Sequence, residues 1–166
     1  MNKKLVILTG PTAAGKTELS IELAKQINGE IISADSIQVY KHMNIGSAKI
    51  TEEEKCGITH YLIDVLEPDE PFDVHIFKHM ANECMDKIYS IGKIPIIVGG
   101  TGFYIQSVVY DIQFDETDSN QEYRIELEQL AIKNGNEYLH NMLKQVDPQS
   151  AEAIHPNNKK RVIRAL

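Results

Sequence analysis

Cysteine is scarce in this sequence. The 166 residues hold two, Cys56 and Cys84, far apart and outside any C-x-x-C spacing. That excludes a disulfide framework, and the pair reads as free thiols in a reducing compartment. Arginine is scarce too: it is absent before Arg124, and the others are Arg161 and Arg164. Positive charge is short overall. With a formal net charge of -7, the chain as a whole is no electrostatic glove for nucleic acid. Contact with RNA would need a local basic patch or pairing to base edges. Long apolar runs are missing, so nothing reads as a membrane span. The run beginning at Leu5 stops at Thr9-Gly10-Pro11, too short for a signal-peptide core. The expectation is a cytoplasmic protein without membrane attachment. Neither an internal repeat nor a low-complexity tract is visible.

What is present is ordinary globular composition, 42% hydrophobic and 25% charged, at a length that supports a real core. A short β-branched run at 4–9 predicts a buried parallel strand, followed by a glycine-rich turn. Helical spacing follows over 17–27, stopped by Asn28-Gly29. Further strands are expected at 30–34, 60–65 and 94–98, and further helices at 74–91 and 102–109. Residues 36–51 read as loop and short helix. Strand and helix in alternation predict an α/β fold: a P-loop NTPase-like parallel sheet flanked by helices. After Tyr110 the character changes. Residues 111–120 read as an exposed acidic connection. Helices are expected over 123–133 and 137–145, then short ones after Pro148 and Pro156. The expected division is a P-loop α/β core at 1–110, a helical insertion-like segment at 111–147, and a return to the core at 148–166. The C-terminal helix shows no cap and no stop signal, which predicts a chain cut short there.

Gly10-Pro11-Thr12-Ala13-Ala14-Gly15-Lys16-Thr17 fits G-x-x-x-x-G-K-[ST] in full, between an expected strand and an expected helix. Glycines let backbone N–H groups curl around phosphate oxygens, and the helix N-terminus adds partial positive charge. Lys16 neutralises outer phosphate oxygens, and Thr17 offers a hydroxyl to Mg²⁺. The motif does not say what carries the phosphate. A kinase usually clamps it with arginines, which are missing here from the α/β half. Asp35 stands at the end of the second strand, where ligands sit in parallel α/β sheets. It can act as a general base, as a hydrogen-bond acceptor, or only as a helix cap. Gln38 has the donor and acceptor to pair with an adenine edge.

Longer blocks go beyond spacing. They are the phosphate loop, residues 29–40 (Gly-Glu-Ile-Ile-Ser-Ala-Asp-Ser-Ile-Gln-Val-Tyr), and residues 44–49 (Asn-Ile-Gly-Ser-Ala-Lys). Residues 60–64 (His-Tyr-Leu-Ile-Asp), 95–105 (Pro-Ile-Ile-Val-Gly-Gly-Thr-Gly-Phe-Tyr-Ile), 154–157 and 160–166 continue the series. In combination the chain closely resembles bacterial tRNA dimethylallyltransferases, also called tRNA isopentenylpyrophosphate transferases, over nearly its whole length. The resemblance implies transfer of a dimethylallyl group from its pyrophosphate to N6 of the adenosine 3′ of a tRNA anticodon. Pyrophosphate is released, so the P-loop holds a leaving group. It implies that Gly10 to Thr17 bind the pyrophosphate with Mg²⁺ at Thr17, that Asp35 accepts the N6 proton, and that Thr101 lies near the transferred group and the tRNA. Asp35, Ser36, Ile37 and Gln38 would contact a flipped-out base. Lys160, Arg161, Val162, Ile163 and Arg164 match a tRNA-contacting stretch. Its partners would be the anticodon arm of tRNA and dimethylallyl pyrophosphate, with the protein a monomer. Family members run well past residue 166 and carry further catalytic and tRNA-binding residues there. Their helical insertion is longer than residues 121–145 here.

Smaller features stay open. His75 and His79 have metal-like spacing but no third ligand, which favours a surface pair. Asp64 can serve a magnesium site or cap a turn. Tyr40, Phe103 and Tyr104 can stack on a base, though core packing suits at least two of them. Other readings are a small-molecule kinase, prenyl transfer to a free adenine nucleotide, and a nucleotide-dependent RNA-binding switch.

Overall fold

The structure is a computed structural model, and it describes residues 3–113 and 121–166. Residues 114–120, most of the expected acidic connection, lie outside the described residues. The chain divides into two compact units, Met1–Phe114 and Asp115–Leu166.

The first unit is built on a parallel sheet. Strand β1 spans Val6–Thr9, β2 spans Gly29–Ser33, β3 spans His60–Tyr61 and β4 spans Ile94–Gly99. Their order is β1-β4-β2-β3. Helices α1 (Lys16–Ile27), α2 (Val74–Ser90) and α3 (Gly102–Val109) connect and cover them. Successive strand residues point to opposite faces, and the two inner strands show it. Ile31 and Ile96 pack with Ile21 and Ala24 of α1. Ile32 and Ile97 pack on the other face with Phe77, Ala81 and Ile88 of α2 and Tyr104 and Ile105 of α3. Both faces of the sheet are therefore buried, which is why β4 reads as a continuous apolar run and β2 carries adjacent isoleucines, Ile31 and Ile32.

Two elements differ from the sequence expectation. The third strand was expected over 60–65 but stops at Tyr61, because Leu62 (φ 60) and Asp64 (φ 53) turn left-handed and carry the chain off the sheet. The short helix expected within 36–51 does not form. Residues 36–39 make a turn instead, and the chain then pairs only through the single bridge Tyr40 to Leu66. Ser, Asp and Asn compete locally for backbone groups, and Asp35 does so here.

Glu30 is buried in β2 at 3% exposure. Its Oε1 accepts from Lys93 Nζ at 2.7 Å and its Oε2 from Tyr61 Oη at 2.7 Å. Burial pushes its carboxyl up, but the hydrogen bonds from Lys93, Tyr61 and Thr59 prevail and hold it below its usual value. Tyr61 is pushed up to about 12 by burial and by donating to Glu30.

The second unit consists of α4 (Gln121–Asn134), α5 (Asn136–Val146), α6 (Pro148–Ala153) and α7 (Lys159–Ala165). Leu127, Ala131, Leu139, Leu143, Ala151, Val162 and Ile163 form its core. His140 ties α5 to the end of α6, its Nε2 lying 2.9 Å from the carbonyls of both Ala151 and Ile154.

Two outcomes are expected. A carboxyl held low contributes stability above its ordinary value of 4.5, and that contribution is lost as pH falls through its lowered value. Glu30→Gln should therefore unfold more easily near neutral pH and lose less further stability below about pH 4.5, as followed by urea melts across pH. In Gly99→Ala, the new methyl would stand 2.2 Å from the Ala34 carbonyl oxygen. The overpacking should cost about 1–3 kcal/mol, measured in the same melts.

Candidate functional site

Three turns meet at the carboxyl ends of the strands. The first follows β1 and is the phosphate loop. Ala13 (φ 64) and Gly15 (φ 73) are left-handed, and Gly15 leads directly into α1. Gly15 tolerates this because it has no Cβ. Residues Pro11, Thr12, Ala13, Ala14 and Gly15 are solvent-exposed, so the loop's N–H groups stay accessible. Lys16 Nζ donates to the carbonyls of Gly10, at 2.9 Å, and Pro11, and so lies over the loop.

The second turn follows β2. Asp35 Oδ1 accepts from the N–H groups of Ile37 (2.8 Å) and Gln38 (3.2 Å). Both bonds use one oxygen. Asp35 thus caps its own turn, one of the roles the sequence left open, and its second oxygen accepts no hydrogen bond among the described residues. The third turn follows β4. Thr101 N donates to the Ala34 carbonyl at 3.4 Å, and Ala34 N donates to Val98 O at 2.8 Å. Thr101 is the N-cap residue of α3, yet its hydroxyl does not make the cap hydrogen bond.

A cavity of about 430 Å³ opens among these turns. One side is the phosphate loop and the start of α1, from Thr12 to Thr17 with Ser20. The floor is Ile31 and Ser33 of β2, Val98 and Gly99 of β4, and Gly100. The remaining wall is Asp35, Gln38, Ser47, Ala48, Ile50, His60 and Ile63. The phosphate loop forms one side, and Ile31, Ala48, Ile50, Ile63 and Val98 give an apolar surface set among the polar side chains of Ser33, Asp35, Gln38, Ser47 and His60.

A hydrogen-bond net holds that wall in place. The Gln38 amide accepts from Ser33 Oγ at 3.3 Å and donates to the carbonyls of Ser47 (3.0 Å) and Ala48 (3.3 Å). The sequence suggested Gln38 for an adenine edge; in this structure its amide braces residues 47–48. The side chain of Lys49 is largely covered, 6% exposed. Its ammonium donates to Asp64 Oδ1 (2.6 Å), Asn44 Oδ1 (3.2 Å) and the Tyr40 carbonyl. Three donors meet three acceptors, which is what makes a largely covered lysine tolerable. Asp64 is thus engaged by Lys49, and it does not line the cavity.

The structure brings together Thr12 to Thr17, Asp35 and Gln38 on one cavity. Gly10 lies behind Lys16, and Thr101 follows the cavity-lining Gly100 without lining the cavity itself. Ser36 and Ile37 belong to the Asp35 turn, with Ile37 exposed. In the second unit, Lys160, Arg161 and Arg164 are exposed on α7, while Val162 and Ile163 are buried in its core. Any contact made by that stretch falls to the three cations. Tyr104 stacks on Phe77 with centroids 4.7 Å apart, and Tyr40 meets Phe72 edge-on, so both are packing residues. His79 lies 3.9 Å from Glu83 on α2. No group of three or more His, Cys, Asp or Glu that could hold a metal occurs among the described residues. Sequence reasoning assigned no role to Ser33, Ser47, Ala48, Lys49, Ile50, His60 or Ile63. For all of these but Ile50 the signal lay in blocks 29–40, 44–49 and 60–64, which carried the resemblance but no spacing with an evident chemistry.

The IPP transferase family profile matches residues 38–166. The chain belongs to this family. It is 67% identical over 162 residues to a tRNA dimethylallyltransferase of Lachnoclostridium phytofermentans, covering 98% of this chain and 52% of that protein. It resembles the crystal structure of a tRNA isopentenylpyrophosphate transferase from Bacillus halodurans with TM-score 0.68 and 47% identity, covering 99% of this chain and 54% of that one. A eukaryotic dimethylallyltransferase acting on tRNA matches with TM-score 0.85 at 34% identity, covering 98% of this chain and 40% of that one. The chain spans about half the length of the curated relatives it matches.

Lys49→Met should free the 40–50 wall while leaving the phosphate loop intact. Loss of the charge-assisted bonds should lower the unfolding free energy by about 2 kcal/mol. Hydrogen-exchange protection should fall around residues 40–50 and 64 but not at Lys16–Ile27.

Proposed function

We propose that this family member works in transfer of a dimethylallyl group from dimethylallyl pyrophosphate to N6 of the adenosine 3′ of the anticodon in tRNA. The observation that carries the reading is the composition of the cavity. A phosphate loop at one end and an apolar surface of Ile31, Ala48, Ile50, Ile63 and Val98 beside it suit a diphosphate with a hydrocarbon tail. A kinase site would need no such surface, and the unit that carries the loop has no arginine to clamp a transferring phosphoryl group. The names of the relatives support the same substrate pair.

The residues then take the following parts. In the loop from Gly10 to Thr17, the backbone N–H groups of every residue but Pro11 cradle the diphosphate together with the start of α1. Lys16 moves from its loop carbonyls onto phosphate oxygen, a stronger acceptor. As the adenine N6 attacks the allylic carbon, the C–O bond breaks and its electron pair leaves on pyrophosphate. Negative charge grows where Lys16 and the N–H groups already point. N6 loses a proton as it gains the carbon, and the uncommitted oxygen of Asp35 accepts it. The turn bonds to Oδ1 hold the carboxylate in one orientation for that task. The Thr101 hydroxyl, unused as a helix cap, faces the role of a contact to tRNA or the transferred group. Ser36, Ile37 and Gln38 stand beside the flipped base.

The donor set fits Mg²⁺. Thr17 on the cavity wall supplies one hard oxygen, and a magnesium site of this kind takes its other ligands from phosphate and water. When bound, the ion adds charge stabilisation for the leaving pyrophosphate. Lys160, Arg161 and Arg164 form a local basic face that meets RNA phosphates, with Lys160 and Arg164 one helical turn apart. The insertion-like character of 111–147, the return toward the core at 148–166, and action as a monomer belong to the same proposal.

The test is incubation with Mg²⁺, dimethylallyl pyrophosphate and unmodified tRNA, then mass analysis of the digested nucleosides. Adenosine should gain a dimethylallyl group. Asp35→Ala should lower kcat by about a hundredfold with dimethylallyl pyrophosphate affinity little changed. Transfer of labelled γ-phosphate from ATP to a small molecule, with no mass gain on adenosine, would overturn the reading in favour of a kinase.

A further inference from the structure

One titratable side chain on the cavity wall has no part in the chemistry above. His60 lies on β3, the edge strand opposite β1 in the order β1-β4-β2-β3. The phosphate loop grows from β1, so three strand spacings, about 14 Å, separate the two ends of the site. His60 is in register with Ile31. Aligned residues of paired strands face the same way, which puts the imidazole on the α1 face of the sheet, where Ile31 packs. There it lines the cavity together with Ile31, Ile50 and Ile63.

The ring is tied to the backbone, and burial favours its neutral form. Its Nδ1 lies 2.9 Å from the Ile58 carbonyl. A carbonyl only accepts, so Nδ1 carries the proton and Nε2 of the neutral ring carries none. Burial pulls the imidazole below its ordinary value, more than the Ile58 hydrogen bond raises it. Lys55 pulls the same way and Glu52 opposes it. A neutral ring can face hydrocarbon, and it adds no repulsion to positive charge developing on an allylic carbon.

We infer that His60 is the chain-length stop of the donor site: it closes the apolar end of the cavity and limits the diphosphate donor to a five-carbon tail. This inference rests on the prenyl-transfer reading. The phosphate loop fixes where the diphosphate begins, and the anchored imidazole fixes where the space ends. The tail between them meets Val98, Ile31 and Ile50, which line the same cavity. A ten-carbon donor would have to displace a ring tied to the backbone. Since β3 is an edge strand, trimming the side chain opens space outward past the sheet rather than into the core.

The experiment is calorimetric binding of dimethylallyl diphosphate, geranyl diphosphate and inorganic pyrophosphate to the chain in Mg²⁺. It compares the wild type with His60→Ala and His60→Phe. The wild type should prefer the five-carbon donor. In His60→Ala, geranyl diphosphate should bind about tenfold tighter or better, with pyrophosphate unchanged. In His60→Phe, dimethylallyl diphosphate should weaken with pyrophosphate again unchanged, and this variant decides the matter if the alanine one does not fold. An unchanged ratio of five- to ten-carbon affinity in the folded variants overturns the inference while leaving prenyl transfer standing. A wild type that binds dimethylallyl diphosphate no better than pyrophosphate overturns the prenyl reading itself, and the inference with it.

Discussion

The close approach of β2 and β4 at their carboxyl ends governs this site. The Ala34 carbonyl takes the Thr101 N–H, and Ala34 N–H reaches Val98. Gly99 lies so near that a methyl there would overlap the Ala34 backbone. Gly100 in turn passes the phosphate loop, with a Cβ at its position 3.7 Å from the Gly10 carbonyl oxygen. Because Gly99 permits this approach, the turns after β1, β2 and β4 share one small volume. The phosphate cradle, the Asp35 carboxylate and the start of α3 come from residues that are 18 or more apart in the chain, and only this convergence makes them neighbours.

Opposite that convergence the site relies on polar bonds rather than regular structure. Residues 40–50 contain no helix, and their shape comes from Gln38, Lys49 and Asp64. Left-handed residues at His42, Gly46 and Ala48 let the chain fold tightly enough for the carbonyls of Tyr40, Ser47 and Ala48 to point inward at those donors. A wall of this kind can adjust when a substrate arrives, since no ladder of backbone bonds must break. The floor beneath it cannot, because Ile31, Ile96 and Ile97 are locked between helices on both faces.

Charge is distributed to match the proposed substrates. The chain is acidic, yet the phosphate loop carries Lys16 and the helical unit exposes Lys160, Arg161 and Arg164. Local cations on an acidic background attract phosphates at chosen points and discourage general adhesion to nucleic acid.

Much was determined by the sequence alone. The phosphate loop, its strand and its helix follow from Gly10 to Thr17 and the periodicity on either side, because a glycine-rich turn between a buried strand and a helix has few alternatives. The central strands were legible for a related reason: Ile31-Ile32 and residues 94–98 are apolar because both faces of the sheet are covered. The edge was not legible. His-Tyr-Leu-Ile-Asp reads as strand by composition, but Leu62 and Asp64 adopt left-handed conformations that only the surrounding contacts stabilise. Nor could spacing show that Lys49 meets Asp64, or that Gln38 braces residues 47–48, since those bonds cross loops without periodicity. The burial of Val162 and Ile163 between exposed cations is a further case, for it depends on which face of α7 the other helices cover. Local propensity and pattern reach as far as elements and motifs; the tertiary structure decided which of their side chains face the cavity, because that choice is made by packing between segments distant in the chain.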